Sequence, residues 1–540
     1  MLVYGDHSEI AEAGERLDAI RQALAAVSAM PTGIDRHAKL VGTLIEVGRL
    51  LQGVADAGLP DAEALGRFLH QLACTVLRSW DSGFAETGSL PPVPRIGRAA
   101  RVELRVPEGF AFYAVYPEAY ADAARRLKVI APPRVIGIRS IGTTLGAMVS
   151  AALGAPPPIT VRPFGDPFAR RAELPPEVIG QDVHYVIVDE GPGLSGSSFG
   201  AVADWLEARA VPLERIAFIT SHAGNPGPQA SQAHRQRWSA AQRVAAEFDP
   251  AFLAKAFGRL EEFSIGSQWE RRKFLARPGG ERVLLKFAGL GAIGERKFEM
   301  ARALHAAGFT PEPLGLVHGF LVERWCEGGR PLAADDRPVE AIGRYIGARA
   351  RLFPADDRSG ASIEELRTMC RRNISLALGG HAARAAERFD VEALSRSVRP
   401  VRTDNKLDRC EWLRVDDGRL VKVDALDHHH GHDLIGCQDA AWDVAGAAVE
   451  FGLTAAETDG LIAATGLKVD RELLEFCRIA YCSFRLGQAA LARATAAASR
   501  YSRALELLLH DCAQPATRRD SSVGGMAERT ASGTNPRPFG

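Results

Sequence analysis

The 540-residue chain lacks a C-x-x-C pair, a long apolar run, an internal repeat and an excess of either charge. Its eight cysteines, Cys74, Cys326, Cys370, Cys410, Cys437, Cys477, Cys482 and Cys512, are scattered. That spacing excludes a zinc ribbon and a disulfide framework and suits a reducing, cytoplasmic setting. No stretch reaches the roughly eighteen apolar residues of a membrane-spanning helix. The opening MLVYGDHSEIAEAGERLDAI has neither the basic nor the apolar region of a secretory signal. Lys plus Arg equals Asp plus Glu, 66 each. A neutral chain without a basic run argues against nucleic acid as a partner. What is present is ordinary globular material, 46% apolar and 24% charged, long enough for two or three domains with real cores.

Residues 7–80 read as helical, because apolar residues recur at three-to-four spacing in EIAEAGERLDAIRQALAAV and HAKLVGTLIEVGRLLQGVADA. Pro31 to Gly33 separates the two helices, and Asp61 is placed to cap a third. Packing or homodimerisation is the expected use of this helical region, 1–95. The Pro-rich SLPPVPRIGRAARV marks a boundary near 90–100. Strands and helices then alternate. RVIGI (134–138), PITVRP (158–163), HYVIVD (184–189) and RIAFIT (215–220) read as strands, with helices over 143–153 and 198–210. Such units imply a parallel sheet with right-handed crossovers over 96–225. Residues 226–257 lose the alternation and read as a linker. Over 258–511 come two hairpin-like strands, FSIGSQWERRKFLA and GERVLLKFA, a helix ERKFEMARALHAAG, a strand LGLVHGFLVERW and a helical remainder. The tail 512–540 has almost no apolar anchors and is expected to be disordered.

Two turns in the α/β region carry phosphate chemistry. IRSIGTTLGA follows the first strand and puts Arg139, Ser140, Gly142 and Thr143 where a helix begins. Small residues there admit an anion to backbone N–H groups, aided by the helix dipole. VIVDEGPGLSGSSFG sets the acids Asp189 and Glu190 before Gly193, Ser195, Gly196, Ser197 and Ser198. In order and content these turns resemble the type I phosphoribosyltransferases, with one extra residue before the loop and Glu for the usual second Asp. The resemblance implies phosphoribosyl pyrophosphate bound with Mg²⁺. Asp189 and Glu190 would face the ribose hydroxyls, and catalysis would be electrostatic. A Rossmann-like domain whose loops are only tight turns is the alternative. RPFGDPFARR (162–171) reads as a hood or lid whose Arg162 and Arg170 reach phosphate. Tyr113, Tyr116 and Tyr120 offer base stacking, with core packing expected for at least two.

In the C-terminal half Lys286 sits on the apolar strand VLLKFA, followed by a helix bearing Glu295 and Glu299. A Lys on a sheet with a Glu on the next helix forms the ion pair that positions ATP phosphates. FLVERWCEG reads as a hinge, with backbone at Glu323 to Trp325 facing adenine. Downstream lie Asp404, Asp424, Asp439 and Asp443. These parts resemble the aminoglycoside phosphotransferase and choline kinase-like family. The resemblance implies that Asp404 is the catalytic base, that Asp424 binds Mg²⁺, that Asp439 and Asp443 are structural, and that FSIGSQWERRKF covers phosphate. The family's His-Gly-Asp is here Arg402, Thr403, Asp404, and Arg409 stands where its metal-binding Asn falls, with Asn405 beside the acid instead. His428, His429, His430 and His432 follow Asp424 and read as a polar loop with one histidine facing the site.

The expected molecule is α/β plus α+β: a phosphoribosyltransferase-like parallel-sheet domain followed by a bilobal kinase-like domain. The expected function is bifunctional. It joins phosphoribosyl transfer from phosphoribosyl pyrophosphate to ATP-dependent phosphorylation of a small-molecule hydroxyl, with Mg²⁺ at both sites. The alternative is a nucleotide-binding sensor with reduced turnover, motivated by the missing Asn.

Overall fold

The computed structural model describes residues 1–5, 8–264, 271–356 and 358–513. They fall into two compact units. The larger holds 4–336 and 408–434; the smaller holds 1–3, 337–407 and the residues from 435 on.

In the larger unit, β1 (Ser8–Glu12) pairs antiparallel with β2 (Arg101–Arg105), and between them run α1 (Ala13–Ala29), α2 (Ile34–Asp56) and α3 (Ala62–Asp81). The sequence reads residues 8–12 as helix. Their pairing with a distant ribbon decides otherwise, a tertiary override of local propensity. Asp61 does occupy the N-cap of α3, but its carboxylate accepts from the Gly97 N–H at 3.1 Å rather than from its own helix. After α4 (Glu108–Phe112) and α5 (Pro117–Arg125) comes the α/β layer: β3 (Pro133–Ile138), α6 (Gly142–Ala152), β4 (Ile159–Val161), the hairpin β5 (Phe164–Asp166) and β6 (Ala169–Arg171), β7 (His184–Val188), α7 (Ser197–Glu207) and β8 (Ile216–Thr220). All four expected parallel strands form. Residues 226–257 are not a linker: they build α8 (Gln232–Ala240), β9 (Gln242–Ala245) and α9 (Ala251–Phe257). β9 is the fifth strand of a fully parallel sheet ordered β4-β3-β7-β8-β9. Its half-buried QRVA is too short and polar to announce a strand.

The same unit continues into a five-stranded antiparallel sheet, β10-β11-β12-β14-β13. Its strands are β10 (Glu261–Glu262), β11 (Lys273–Ala276), β12 (Val283–Phe287), β13 (Pro313–Val317) and β14 (Phe320–Arg324), with α10 (Ala292–Ala306) inserted after β12. The segment read as one strand, LGLVHGFLVERW, is a hairpin: His318 and Gly319 both take positive φ, +42° and +89°. Two such residues make the tight turn whose twist suits paired strands. A small sheet, β15 (Arg330–Pro331), β17 (Trp412–Arg414) and β18 (Leu420–Lys422), completes the unit.

One continuous apolar core runs through the helices, one face of the parallel sheet and the antiparallel sheet of this unit. It joins Leu44, Leu50 and Phe68 of the helices, Leu145 and Val186 of the α/β layer, and Phe274, Leu285 and Phe320 of the antiparallel sheet. The apolar faces of α1 to α3 are spent in it, which is the packing use of the two the sequence offers. The opposite face of the parallel sheet has its own core around Phe199, Phe218 and Trp238.

The smaller unit is helical: α11 (Val339–Leu352), α12 (Ile363–Leu378), α13 (Gly380–Ala383), α14 (Val391–Ser397), α15 (Ala440–Phe451), α16 (Ala455–Thr465), α17 (Arg471–Leu491) and α18 (Thr495–Ala513). Among the described residues it also holds a ribbon pairing β16 (Pro400–Val401) with β19 (Gln438–Asp439). Capping boxes start α12 at Ser362 with Glu365 and α16 at Thr454 with Glu457. α18 runs to Ala513, past the expected start of the tail; the rest of 512–540 lies outside the described residues, as does 265–270 of the expected phosphate-covering loop. Among the described residues no helix is long and apolar enough to cross a membrane.

Candidate active sites

In the parallel sheet the chain passes from β3 outward to β4, then returns across to β7. The order therefore reverses between β3 and β7, and the crevice beyond their carboxyl ends is where open α/β sheets bind ligands. Ser140 follows β3 there, and Asp189 and Glu190 follow β7. A cavity of about 150 Å³ opens at this point, lined by Ser8, Arg105, Glu108, Ser140, Ile141 and Glu190. The Asp189 carboxylate accepts from the Glu190 N–H at 2.9 Å, and the buried Tyr120 hydroxyl donates to the Asp189 carbonyl at 2.9 Å. Burial pushes the Asp189 carboxyl up to about 7, against the Glu190 amide and the charges of Arg170 and Arg162. Burial, helped by the charges of Asp189 and Glu108, pushes Glu190 up to about 8. Both keep partial exposure. Two adjacent carboxyls thus stand together at the sheet crevice, the chemistry that could hold a divalent cation or ribose hydroxyls.

The Gly/Ser loop is ordered by its own hydroxyls. Ser195 and Ser197 donate to the Pro167 carbonyl at 3.2 and 2.7 Å, so the β5–β6 hairpin sits on the loop. Gly193 and Gly196 take φ of +56° and +67°, and Gly196 caps α7. Arg170 reaches the Ser198 hydroxyl at 3.0 Å. The hood expected at 162–171 thus contacts the loop it was expected to cover.

Two expected phosphate ligands are used otherwise. Arg139 pairs with Asp56 of α2 at 2.9 Å, and Arg162 binds the same carboxylate at 2.5 Å. A helix acid, invisible to a local motif, is shared by both. Thr143 is fully buried in the first turn of α6. Gly142 is needed for packing, since a Cβ there would stand 2.5 Å from the Val188 carbonyl. Ser140 and Ile141 alone of that turn line the cavity. Tyr116 and Tyr120 are buried and Tyr113 is exposed, in line with core use of two of the three. Arg105 and Glu108 were missed: they follow no motif and arrive from the end of β2 and the start of α4.

The second site centres on Lys286 of β12, which is buried. Its ammonium lies 3.4 Å from Asp424 and 3.8 Å from Glu323. Despite burial, these carboxylates and Asp427 hold the Lys286 ammonium above its usual range. The expected Lys286–Glu299 pair does not form. Glu299 points to solvent and lies 3.8 Å from Arg302, and Glu295 pairs with Lys39 at 2.8 Å. α10 instead presents Lys297, buried and paired with Asp427, which Arg271 approaches at 3.9 Å. Burial raises and Lys297 lowers Asp427, leaving it at about 2. Three cations, Lys286, Lys297 and Arg271, thus interleave with three acids, Glu323, Asp424 and Asp427. Asp424 keeps 28% side-chain exposure. Its carbonyl accepts from Lys422, whose ammonium also binds Glu411 at 2.6 Å. A single partly exposed carboxylate beside a lysine fits Mg²⁺ carried by a polyphosphate, which needs only one or two protein carboxylates.

The hinge reading loses donors. The Arg324 N–H binds the Glu312 carbonyl at 2.9 Å and the Trp325 N–H the Arg282 carbonyl at 3.2 Å. The Glu323 side chain turns inward to Lys286. His428 lies 3.7 Å from Asp424. His432 binds the Tyr113 hydroxyl and, at 3.0 Å, Glu108. His428 and His432 take different carboxylate partners, while His429 is buried, so this stretch is not the exposed polar loop the sequence suggests. The His430 side chain lies outside the described residues.

In the smaller unit Asp404 is fully buried and accepts from the Tyr345 hydroxyl. Asp443 binds the Asp404 and Asn405 N–H groups at 2.8 and 2.9 Å, and Asp439 caps α15 through the Ala441 N–H. Arg349 holds the Arg402 and Thr403 carbonyls at 2.6 and 3.1 Å. Burial and the Asp404 charge push Asp443 up to about 6. Asn405 donates its side-chain amide to the Gly436 carbonyl at 2.7 Å. In the larger unit, Arg409 donates to the Ala333 and Asp336 carbonyls at 2.9 and 2.6 Å. The residue at the expected Asn position is therefore a loop tie.

No family model matches the chain, and no curated relative matches it. Solved structures are similar to its C-terminal half. A choline kinase from Streptococcus pneumoniae is 15% identical over 48% of this chain and 97% of its own, with a TM-score of 0.36. A choline/ethanolamine kinase family protein from Mesorhizobium loti is 17% identical over 49% and 95%, TM-score 0.33. A macrolide 2′-phosphotransferase from Brachybacterium faecium is 17% identical over 48% and 98%, TM-score 0.31. Likeness at this level fixes neither substrate nor activity.

Proposed function

We propose that the chain is a bifunctional, Mg²⁺-dependent transferase. One site transfers a phosphoribosyl group from phosphoribosyl pyrophosphate, and the other passes the ATP γ-phosphoryl to a small-molecule hydroxyl. The carrying observation is the meeting of Ser140 and Glu190 at one cavity, at the point where the strand order reverses. There Asp189 and Glu190 orient the ribose, the Gly193–Ser198 loop receives the 5′-phosphate, and the Ser140 turn receives the diphosphate. In the larger unit Lys286 steadies the ATP phosphates and Asp424 holds the metal. Bound Mg²⁺ neutralises polyphosphate charge at each site; everything else is positioning.

A second reading, a nucleotide sensor with reduced turnover, is favoured by two details. Asp404 is engaged by Tyr345, and Arg409 is consumed by loop carbonyls. Calorimetry on the intact chain with Mg²⁺ and each nucleotide, followed by assays for pyrophosphate and ADP, separates the two. Asp189→Asn is expected to abolish phosphoribosyl pyrophosphate binding and spare ATP; Asp424→Asn is expected to do the reverse. Binding of both without either product selects the sensor, and binding of neither ends both readings.

A further inference from the structure

Away from both sites, three side chains from distant parts of the larger unit meet in a dry pocket. His37 stands in the first turn of α2, Glu118 in the first turn of α5, and His318 in the β13–β14 turn. Their exposures are 0%, 1% and 3%. Nε2 of His37 lies 2.8 Å, and Nε2 of His318 2.7 Å, from the same atom, Oε1 of Glu118. Oε2 of Glu118 is buried and has no hydrogen-bond partner. Aromatic rings close the pocket: Phe84 is 4.8 Å from His37, and Tyr116 and Phe252 are 5.0 and 5.4 Å from His318.

We propose that this cluster is a structural site for a zinc-type divalent cation, held by Nε2 of His37, Nε2 of His318 and both oxygens of Glu118. Two imidazole nitrogens and a carboxylate suit zinc and its neighbours rather than magnesium. A metal–nitrogen bond of about 2.0–2.1 Å puts an imidazole centroid about 3.2 Å from the ion; two such rings at a tetrahedral angle have centroids about 5.2 Å apart. The His37 and His318 rings stand 5.2 Å apart. The ring spacing matches that of two ligating imidazoles, and the three ligand atoms lie within 4.8 Å of one another, so small side-chain shifts admit the ion. A hydrogen-bonded triad alone leaves Oε2 orphaned, a cost that buried polar atoms rarely bear; bidentate ligation uses it.

The surroundings match a metal's outer shell. Nδ1 of His37 meets the Ser79 hydroxyl at 2.9 Å, a partner able to accept the Nδ1 proton when Nε2 ligates an ion. The Tyr116 hydroxyl donates to the His318 carbonyl at 2.7 Å and steadies a turn residue held at φ +42°. Four protein donors in an aromatic box leave no place for a substrate, so the ion is structural. It ties the helical layer, the α/β layer and the antiparallel sheet together within one unit, independently of either phosphate site.

The test is metal counting on the intact chain, purified with zinc and then dialysed against metal-free buffer. One retained zinc per chain is expected, absent from Glu118→Gln and His318→Gln. In Ser79→Ala it should be bound about 10- to 100-fold more weakly. Cobalt loaded in place of zinc should give the visible bands of a four-coordinate ion, and these should persist in His432→Asn. No retained metal and no cobalt bands in the unaltered chain would overturn the proposal. So would bands that vanish in His432→Asn, or zinc that survives in folded Glu118→Gln; both place the ion elsewhere.

Discussion

Asp189 and Glu190 keep protons that an unfolded chain releases. Unfolded carboxyls ionise near pH 4, at about 3.9 for Asp and 4.3 for Glu. Burial moves these two up to about 7 and about 8. From the lower values to the higher, the unfolded state binds fewer protons than the folded one, so stability falls as pH rises through that window. The melting temperature of the ligand-free chain is expected to decline from pH 5 to pH 8, and the slope to flatten in Asp189→Asn/Glu190→Gln. Mg²⁺ with phosphoribosyl pyrophosphate should release protons on binding at pH 7, read by calorimetry in buffers of differing ionisation heat. An equal slope in the double variant would show that the pair does not titrate this way. At this scale the acid pair was legible because strand, acids and Gly/Ser loop are contiguous. Glu108 and Asp56 were not, because each enters from another layer. Lys297 is an intermediate case: Ile293, Lys297, Met300, Ala301 and Leu304 form one buried stripe of α10. The helical phase that puts Lys297 inward also puts Glu299 outward.

Elements followed their local signals wherever the hydrophobic period was long or the caps explicit. Ser362 with Glu365 and Thr454 with Glu457 announce two helices of the smaller unit, and RVIGI, HYVIVD and RIAFIT announce three buried strands. The errors fall where partners decide. β1 is helical by period but is recruited by β2, and β9 is polar yet completes a sheet. The hairpin within LGLVHGFLVERW hides in a two-residue turn, His318 and Gly319, flanked by apolar residues on both sides. Gly319→Ala tests that turn. Its backbone stands at φ +89°, and a Cβ would lie 2.8 Å from Leu290 Cδ2 and 3.1 Å from the Gly289 carbonyl. A loss of more than about 1 kcal/mol is expected from urea unfolding. An unchanged midpoint would mean that the turn relaxes without cost.

Across the larger unit, one core runs from Leu17 in α1 to Val322 in β14. The parallel sheet therefore does not close as a domain at residue 225. A chain ended there is expected to lose β9, expose Leu145 and Val186 to an incomplete core, and aggregate. Limited proteolysis of the intact chain is not expected to release a stable 1–225 fragment. A soluble, cooperatively melting 1–225 piece would refute the shared core. Residue pairs over long separations hold this unit together: Lys39 with Glu295, Arg139 with Asp56, His37 and His318 with Glu118.

Composition and period by themselves determined the alternating strands and helices, the helical C-terminal region and the acid-bearing turns, because each is dictated by neighbours within a dozen residues. Which charges meet was decided only in three dimensions. Arg139 turned from phosphate to Asp56, Lys286 from Glu299 to Glu323 and Asp424, and a stretch resembling a linker became a strand. In each case the deciding term was burial, which forces a charge or a backbone edge to take whatever partner the folded layers bring within reach.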